Sequence, residues 1–227
     1  MDRYAVIDTH MPREFVLLQG RGCCWAKCRF CDYHEDKSVD PFPLNREVLS
    51  QVTGRYGVLD VINSGSAPEM DEDTLNLIAG IVREKKIHTL WFEAHYLYRR
   101  QLADFAARFA PATVKFRCGA ESFDPEQRRK WNKGIPMHVT PEDIARYFQG
   151  VCLLCCTKGE TKERILDDIA IARKYFEYFS VNLFCNNGTA MERDEELARW
   201  FEDEVYPALK DDPHIEVLLN NTDLGVG

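Results

Sequence analysis

Short apolar runs alternate with longer amphipathic stretches from about residue 14 to the end of the chain. The runs are almost continuously apolar, as the strands of a buried parallel sheet are. A further short strand is expected at 214–219. Alternation of this kind indicates repeated β-α units. The six main predicted strands lie at about 14–19, 57–63, 87–94, 112–118, 151–156 and 179–185.

The stretches between these strands have the period of helices with one buried face. Leu102, Phe105 and Phe109 follow the i, i+3, i+7 spacing of an apolar helix stripe. Thr140 is followed by a proline, a pair typical of a helix N-cap and first helical position. Thr161 has the same capping character before the next amphipathic stretch. Helices are therefore expected between the strands.

Six such units predict an α/β fold, a partial (β/α)6 parallel barrel, in a single domain over residues 1–227. In parallel barrels the active site lies at the carboxyl ends of the strands. The side chains that directly follow each predicted strand are therefore the candidates for chemistry.

The net charge and the length of the apolar runs limit the kinds of partner that the chain is expected to bind. The chain has 29 basic and 37 acidic side chains, a net charge of −8. Binding to phosphate backbones needs clustered Lys and Arg, so no nucleic acid partner is expected. The longest apolar run, 151–156, is far shorter than the roughly 20 residues of a membrane helix, and the start of the chain does not resemble a signal peptide. We expect no membrane association and a cytoplasmic location, where thiols stay reduced.

Four of the nine cysteines follow the first predicted strand, between positions 23 and 31. Cys24, Cys28 and Cys31 are spaced C-x3-C-x2-C in a glycine-flanked loop that can turn three thiolates toward one centre. Such a set suits zinc, with His34 as a fourth ligand, or an iron–sulfur cluster with one iron left open. A zinc-binding interaction module that does no chemistry, or a buried group of free cysteines, is an alternative on these residues alone.

The cysteine spacing, placed after the first strand of a predicted β/α barrel, resembles the signature of the radical S-adenosylmethionine (radical SAM) superfamily. Phe30 stands at its aromatic position. The resemblance implies a 4Fe-4S cluster held by Cys24, Cys28 and Cys31, with SAM on the fourth iron. It further implies cleavage of SAM to a 5′-deoxyadenosyl radical and an electron donor such as flavodoxin or ferredoxin. Cys23 is one position out of register and is expected to be a bystander.

The resemblance also implies which residues bind the cofactor. The segment N-S-G-S at 63–66 follows the second strand, where the superfamily has a short motif for the SAM amino group; an ordinary turn is the alternative. Glu121 is expected near SAM and Lys133 close to the cofactor, although Glu121 could cap a helix and Lys133 could be solvated. The expected cofactor-binding residues are Phe30, Asn63, Ser64, Gly65, Ser66, Glu121 and Asn182.

A wider pattern narrows the resemblance to one subgroup. N-S-G-S, the carboxylate Glu93, C-G-A-E-S-F at 118–123 and W-N-K-G at 131–134 look like the subgroup that includes the lyase component of archaeosine synthesis. The similarity spans about residues 14–190 and implies a small nucleotide substrate. The expected reaction is cleavage of the N-glycosidic bond of queuosine 5′-phosphate, which releases queuine for salvage. A 7-carboxy-7-deazaguanine synthase, with magnesium and a pterin-derived substrate, and a glycyl-radical activating enzyme are the alternatives.

Substrate residues are expected at the ends of the third, fifth and sixth strands. Arg99 or Lys158 would bind the 5′-phosphate, although a solvated helix face is an equal alternative for Arg99. Asn186 would bind a heterocyclic base through its amide. The candidate catalytic residues are Glu93, His95 and Lys133. The candidate substrate-binding residues are Glu93, His95, Tyr96, Arg99, Lys158 and Asn186.

A second cysteine pair is not expected to bind a cluster. Cys152 and Cys155 lie inside a predicted strand, where side chains alternate between the two faces. Cys118 and Cys185 are interpreted as small apolar residues of strands.

Overall fold

The expected parallel sheet is present in a computed structural model of the chain, which describes residues 2–227. Within those residues the sheet has eight strands that neighbour one another in chain order. All six predicted strands and the short seventh one are confirmed, although β5 continues past the predicted end at 118. The strands are β1 (Tyr4–Ile7), β2 (Arg13–Leu18), β3 (Val58–Asn63), β4 (Thr89–Glu93), β5 (Thr113–Glu121), β6 (Gly150–Cys155), β7 (Tyr178–Leu183) and β8 (Ile215–Leu218).

Strand β1 of the structure was not predicted from the sequence. β1 pairs antiparallel with β2, whereas β2 to β8 are all parallel. It is only four residues long and mostly half-buried, so its apolar pattern is too short to stand out. The fold is therefore a curled, mostly parallel partial barrel with one antiparallel edge strand.

Helices cover the convex side of the sheet, as expected for β-α units. The predicted caps are present, since Thr140 Oγ1 and Thr161 Oγ1 accept hydrogen bonds from the backbone N–H groups of Asp143 and Arg164. A π-helical turn at Phe201–Val205 joins α7 to α8. The helices are α1 (Phe42–Leu49), α2 (Glu72–Glu84), α3 (Leu102–Ala107), α4 (Pro125–Lys130), α5 (Pro141–Ala145), α6 (Lys162–Tyr175), α7 (Glu195–Trp200) and α8 (Tyr206–Leu209).

Alternating side chains of each strand have different surroundings, because successive residues point to opposite faces of a sheet. In β2, Val16 and Leu18 belong to the main apolar core. Phe15 and Leu17 line a cavity on the concave side of the sheet. The inward-facing side chains of the strands are therefore the ones that can line a site in this cavity.

The open side of the curled sheet, between β2 and β8, is bridged by side chains. Arg13 Nη2 on β2 donates to Glu216 Oε2 on β8 at 2.7 Å. Val226 packs against Ile7, Phe15 and Leu17 and closes the same side with apolar atoms. Within residues 2–227, no helix combines the length and the hydrophobicity needed to cross a membrane.

Candidate active site

A cavity of about 290 Å³ lies against the concave side of the sheet. The cysteine loop and the ends of β3 to β7 contribute to its wall. One part of the wall is apolar and comes from β2, β3, β8 and the chain end. The polar side chains come mainly from the end of β3, from β4, β5 and β7, and from Lys133. Apolar lining residues include Phe15, Leu17, Ile62, Leu218 and Leu224, and polar ones include Asn63, Glu93, Arg117, Glu121, Lys133, Ser180 and Asn182.

The three cysteines that are predicted to bind the cluster lie in one loop, but they do not all line the same cavity. Cys28 and Cys31 line the main cavity, and burial raises the pKa of the Cys28 thiol to about 12. Cys24 is exposed and lines an adjoining cavity, and Cys23 borders both. All three thiols are free. Within residues 2–227, no three His, Cys, Asp or Glu side chains are gathered closely enough to hold a metal ion.

The donor set nevertheless fits an iron–sulfur cluster better than a structural metal. Three free thiols in one eight-residue segment supply three soft ligands and leave a fourth position open. Metal binding would order these ligands, because its free energy is coupled to folding of the ligand loop.

The segment 63–66 is joined tightly to the start of the cysteine loop. Ser64 Oγ accepts a hydrogen bond from the Gly20 N–H at 2.7 Å. A Cβ atom at Gly65 would lie 2.5 Å from Glu69 Oε2 and 3.0 Å from the Gly22 carbonyl oxygen. This close approach, which only glycine permits, brings the two segments to one wall of the cavity.

Asn63 is the member of this segment with free hydrogen-bonding capacity. Both its amide nitrogen and its amide oxygen are buried without a partner. By contrast, the Ser66 hydroxyl accepts from the His95 N–H at 3.0 Å. Asn182 Oδ1, across the cavity, is also buried and unpartnered. Orphaned polar atoms in a cavity wall are costly unless a ligand pairs with them, so both amides suit a polar ligand such as SAM.

Glu69 links the two loops, a role that sequence reasoning missed. Its carboxylate accepts from the Cys24 N–H at 2.8 Å and from the Ser66 N–H at 2.7 Å. The Tyr98 hydroxyl donates to the same carboxylate at 2.8 Å and lies 3.3 Å from Cys24 Sγ. Three separate segments therefore meet at one carboxylate beside the predicted cluster ligand.

Lys133 and Glu121 form a buried ion pair on the cavity wall. Lys133 Nζ lies 2.8 Å from Glu121 Oε1, and each side chain is 10% exposed. Although burial disfavours the charged amine, the carboxylate of Glu121 raises the pKa of Lys133. The ammonium also lies 5.4 Å from the centre of the Phe30 ring. Neither Glu121 nor Lys133 is therefore a solvated surface charge.

Glu93 projects into the cavity from the end of β4. Its side chain is 36% exposed, and Oε1 lies 3.4 Å from Arg117 Nε. The Cys152 thiol is 3.5 Å from the same oxygen. Burial raises the pKa of Glu93, and the neighbouring guanidinium only partly opposes this. Glu93 is thus a carboxylate with unused acceptor capacity inside a partly apolar cavity.

His95 lines the same cavity, but its ring nitrogens are already paired. Nε2 lies 2.7 Å from the Lys133 carbonyl oxygen, which can only accept, so Nε2 carries the proton. Nδ1 accepts from the Leu97 N–H at 3.2 Å. Burial, together with the Lys133 ammonium, lowers the pKa of His95 to about 4. The ring stacks on Trp25 at 5.9 Å between centroids.

This arrangement is matched closely by a solved structure. Queuine lyase from Clostridium spiroforme bound to SAM and queuine is 43% identical, with a TM-score of 0.95, over 100% of this chain and 99% of that chain. The chain belongs to the queuine lyase family. A cobalamin-dependent SAM radical enzyme is 14% identical over 83% of this chain and 30% of that chain, with a TM-score of 0.41, too low to carry an argument. No protein-family model matches the chain, and no curated protein matches it significantly.

Membership of the queuine lyase family confirms the radical SAM resemblance and the partial-barrel fold. It decides against a zinc-binding module that does no chemistry. It also favours the lyase over the deazaguanine synthase and the activating enzyme, which were the other radical SAM alternatives.

In this member of the queuine lyase family, several predicted residues do meet at the cavity. Phe30, Asn63, Glu93, Glu121, Lys133 and Asn182 all line it, as do Ser64, Gly65, Ser66 and His95. The hydroxyls of Ser64 and Ser66 are already hydrogen-bonded, so among the polar side chains of that segment Asn63 keeps free atoms.

Two predicted substrate-binding residues after β4 lie outside the cavity. Tyr96 packs its ring against Phe148 at 6.5 Å, and the Arg99 guanidinium stacks on Tyr96 at 4.4 Å. Neither residue lines the cavity. Their backbone has already turned into a short 3-10 helix, which carries their side chains away from the inward face.

Lys158 and Asn186 also lie outside the cavity. Lys158 is exposed and ion-paired with Glu192. Asn186 Oδ1 accepts from the Arg193 N–H at 2.8 Å, and neither residue lines the cavity. Asn187, the next residue, lines the cavity instead, where its amide donates to the Phe30 carbonyl at 2.8 Å.

The remaining cysteines largely follow the prediction. Cys152 faces the cavity from β6, whereas Cys155 is buried in the core on the other face, so the pair does not share a site. Cys118 is fully buried in the core. Cys185 follows β7 rather than lying within it, and it borders the cavity.

Proposed function

We propose that the chain is a queuine lyase that cleaves the N-glycosidic bond of queuosine 5′-phosphate and releases queuine. The observation that carries this proposal is the 43% identity, over the whole chain, to a lyase that binds SAM and queuine. Residues 1–227 would form one catalytic domain, which is supported by the single sheet that contains every strand of the described residues.

Cys24, Cys28 and Cys31 would hold a 4Fe-4S cluster, because they supply three thiolates and leave one iron for SAM. The chemistry supplied at such a site is reductive cleavage of SAM to a 5′-deoxyadenosyl radical, which takes a hydrogen atom from the substrate. A small electron-transfer protein such as flavodoxin or ferredoxin would provide the electron. The close junction between the cysteine loop and the segment 63–66 supports a shared site for both groups.

Asn63 and Asn182 would bind polar groups of SAM, because their buried amide atoms lack partners. Gly65 would leave room for the cofactor beside the cysteine loop. Lys133 and Glu121 would bind and orient the cofactor as a pair, and Phe30 would pack beside the ammonium. The proximity of all these groups to Cys28 on the cavity wall supports the assignment.

Glu93 would bind the base part of the substrate, and the apolar wall of the cavity would exclude water from the reacting centre. His95 would act as a positioning residue, because its two ring nitrogens are paired with backbone groups. It would hold the Lys133 backbone and the Trp25 ring at the edge of the cavity.

The test is anaerobic turnover of queuosine 5′-phosphate that carries deuterium on the ribose, with SAM and a reductant. We expect free queuine and deuterium in the 5′-deoxyadenosine, both read by mass spectrometry. Queuine release without SAM cleavage would instead indicate a hydrolase. If no queuine forms, the deazaguanine synthase becomes the better hypothesis, to be tested with magnesium and the pterin-derived substrate.

A further inference from the structure

A row of alternating charges crosses the interior of the curled sheet and ends at the cavity. Arg13 on β2 forms ion pairs with two carboxylates. Its Nη2 lies 2.7 Å from Glu216 Oε2 on β8, and its Nε lies 2.8 Å from Asp60 Oδ2 on β3. Arg117 on β5 continues the row, since its Nη1 donates to Asp60 Oδ2 at 2.9 Å. The last member is Glu93, with Oε1 3.4 Å from Arg117 Nε. Five inward-facing side chains of five strands thus form one network.

The guanidinium of Arg117 is shared unequally between the two carboxylates beside it. Both terminal nitrogens donate to Asp60. Only Nε faces Glu93, and that buried nitrogen has no hydrogen-bond partner. The Asp60 carboxylate therefore takes most of the charge that would otherwise neutralise Glu93.

Charge counting leaves one negative charge in excess. The network contains three carboxylates, Glu216, Asp60 and Glu93, but only two guanidinium groups, Arg13 and Arg117. The other charged pair on the cavity wall, Lys133 with Glu121, balances itself. A carboxylate in a low-dielectric cavity is costly unless a cation pairs with it.

The excess charge lies at Glu93, the most accessible member of the network. The side chains of Arg13 and Asp60 are fully buried, Arg117 is 4% exposed and Glu216 is 10% exposed, whereas Glu93 is 36% exposed. Glu93 also lies beside Cys152, and Arg117 is the one basic side chain within 4 Å of its carboxylate among the described residues. A ligand cation in the cavity can reach Glu93, whereas Asp60 does not line the cavity and Glu216 is already paired with Arg13.

We propose that Glu93 selects substrates whose base carries a protonated amine, and that Asp60 is the positioning residue that keeps Glu93 available for it. The inference rests on the proposed function and deepens it. Queuine fits this class because its side chain contains a secondary amine that is protonated at neutral pH. Charge-assisted hydrogen bonds from such an ammonium to a carboxylate are roughly twice as strong as neutral ones.

The test compares two deazaguanine bases that differ in charge. Binding of 7-aminomethyl-7-deazaguanine, which is cationic, and of 7-cyano-7-deazaguanine, which is neutral, is measured by calorimetry on the reconstituted holoenzyme with SAM. We expect the cationic base to bind the natural protein on the order of tenfold more tightly. Glu93→Gln should bring the ratio of the two dissociation constants close to one.

The control is Glu126→Gln, which removes an exposed carboxylate paired with Arg129 and should leave the ratio unchanged. Asp60→Asn should also lower the ratio, because Arg117 is then free to pair with Glu93. For queuosine 5′-phosphate, this variant should raise KM more than it lowers kcat. If Asp60→Asn does not fold, Glu93→Gln decides the proposal by itself.

The outcomes separate this inference from the proposed reaction. Queuine release by the natural protein, with an unchanged binding ratio in Glu93→Gln, would overturn the amine selectivity alone. A binding ratio that Glu93→Gln abolishes, without queuine release by the natural protein, would overturn the proposed reaction alone. Equal binding of both bases to the natural protein would also overturn the selectivity.

Discussion

Lys133 and Glu121 form an ion pair in the cavity wall, with 2.8 Å between Nζ and Oε1. Glu121 is held in a left-handed conformation, at a φ of 64°, where the pairing register of β5 with β6 shifts. This irregularity turns the carboxylate toward Lys133, which lies beyond α4 in the chain. A strained backbone and a buried pair therefore meet beside the predicted cluster ligands.

We expect Lys133→Met to be strongly destabilising, because it leaves the Glu121 carboxylate buried without its partner. Breaking a buried pair in this way costs about 3–5 kcal/mol of unfolding free energy, which urea denaturation would measure. Adding Glu121→Gln should recover part of the loss. Lys158→Met is the matched control: it breaks an exposed pair and should change stability little. Equal effects of the two lysine variants would contradict the buried pair.

The cysteine assignment predicts a clear difference in iron content. Cys28→Ala should lose the iron and the brown colour after anaerobic reconstitution, because two thiolates cannot hold the cluster. Cys152→Ala should retain both, since that thiol belongs to β6 and lies outside the cysteine loop. Iron analysis and electron paramagnetic resonance of the reduced proteins would check this. Retention of about four irons per chain in Cys28→Ala would reject the assignment.

Gly65 should be required for SAM binding for steric reasons. In Gly65→Ala the new Cβ would lie 2.5 Å from Glu69 Oε2, so the segment 63–66 or the cysteine loop must shift. We expect weaker SAM binding, measured by equilibrium dialysis, with cluster content largely kept. Gly80→Ala is the control, because nothing lies within 4 Å of its new Cβ and alanine is favoured in helix α2 by about 1 kcal/mol. Unchanged SAM affinity in Gly65→Ala would show that the segment 63–66 is an ordinary turn and does not bind SAM.

Features that are local in the sequence could be predicted well. The strands are visible because each is a nearly continuous apolar run, and the cysteine loop because Cys24, Cys28 and Cys31 are close in the chain. The edge strand β1 was missed because four residues, three of them half-buried, carry little pattern.

Features that depend on distant partners could not be predicted. Asp60 and Arg117 are 57 positions apart, and no local spacing signals that they pair. Arg99 lies outside the cavity for a related reason, because one turn of 3-10 helix after β4 decides which side chains face inward. The contact of Glu69 with Ser66 has the spacing of a capping box, but its contacts with Cys24 and Tyr98 join segments that are far apart in the chain.

His95 should make stability depend on pH. Burial and the Lys133 ammonium lower the pKa of His95 to about 4, against about 6.5 in an unfolded chain. The neutral ring is therefore favoured by folding. This contribution is complete above pH 6.5 and is lost as the pH falls toward 4, by about 3 kcal/mol in total.

The measurement is the unfolding free energy of the natural protein and of His95→Gln between pH 7 and pH 4. Glu160, whose pKa burial raises to about 7, acts in the opposite direction, because its neutral form is favoured as the pH falls. Both proteins share that contribution, so the difference between their profiles isolates His95. We expect the difference to narrow as the pH falls from 6.5 to 4. A constant difference for His95→Gln would mean that the buried ring is protonated with no cost, and would contradict its hydrogen bonds to the backbone.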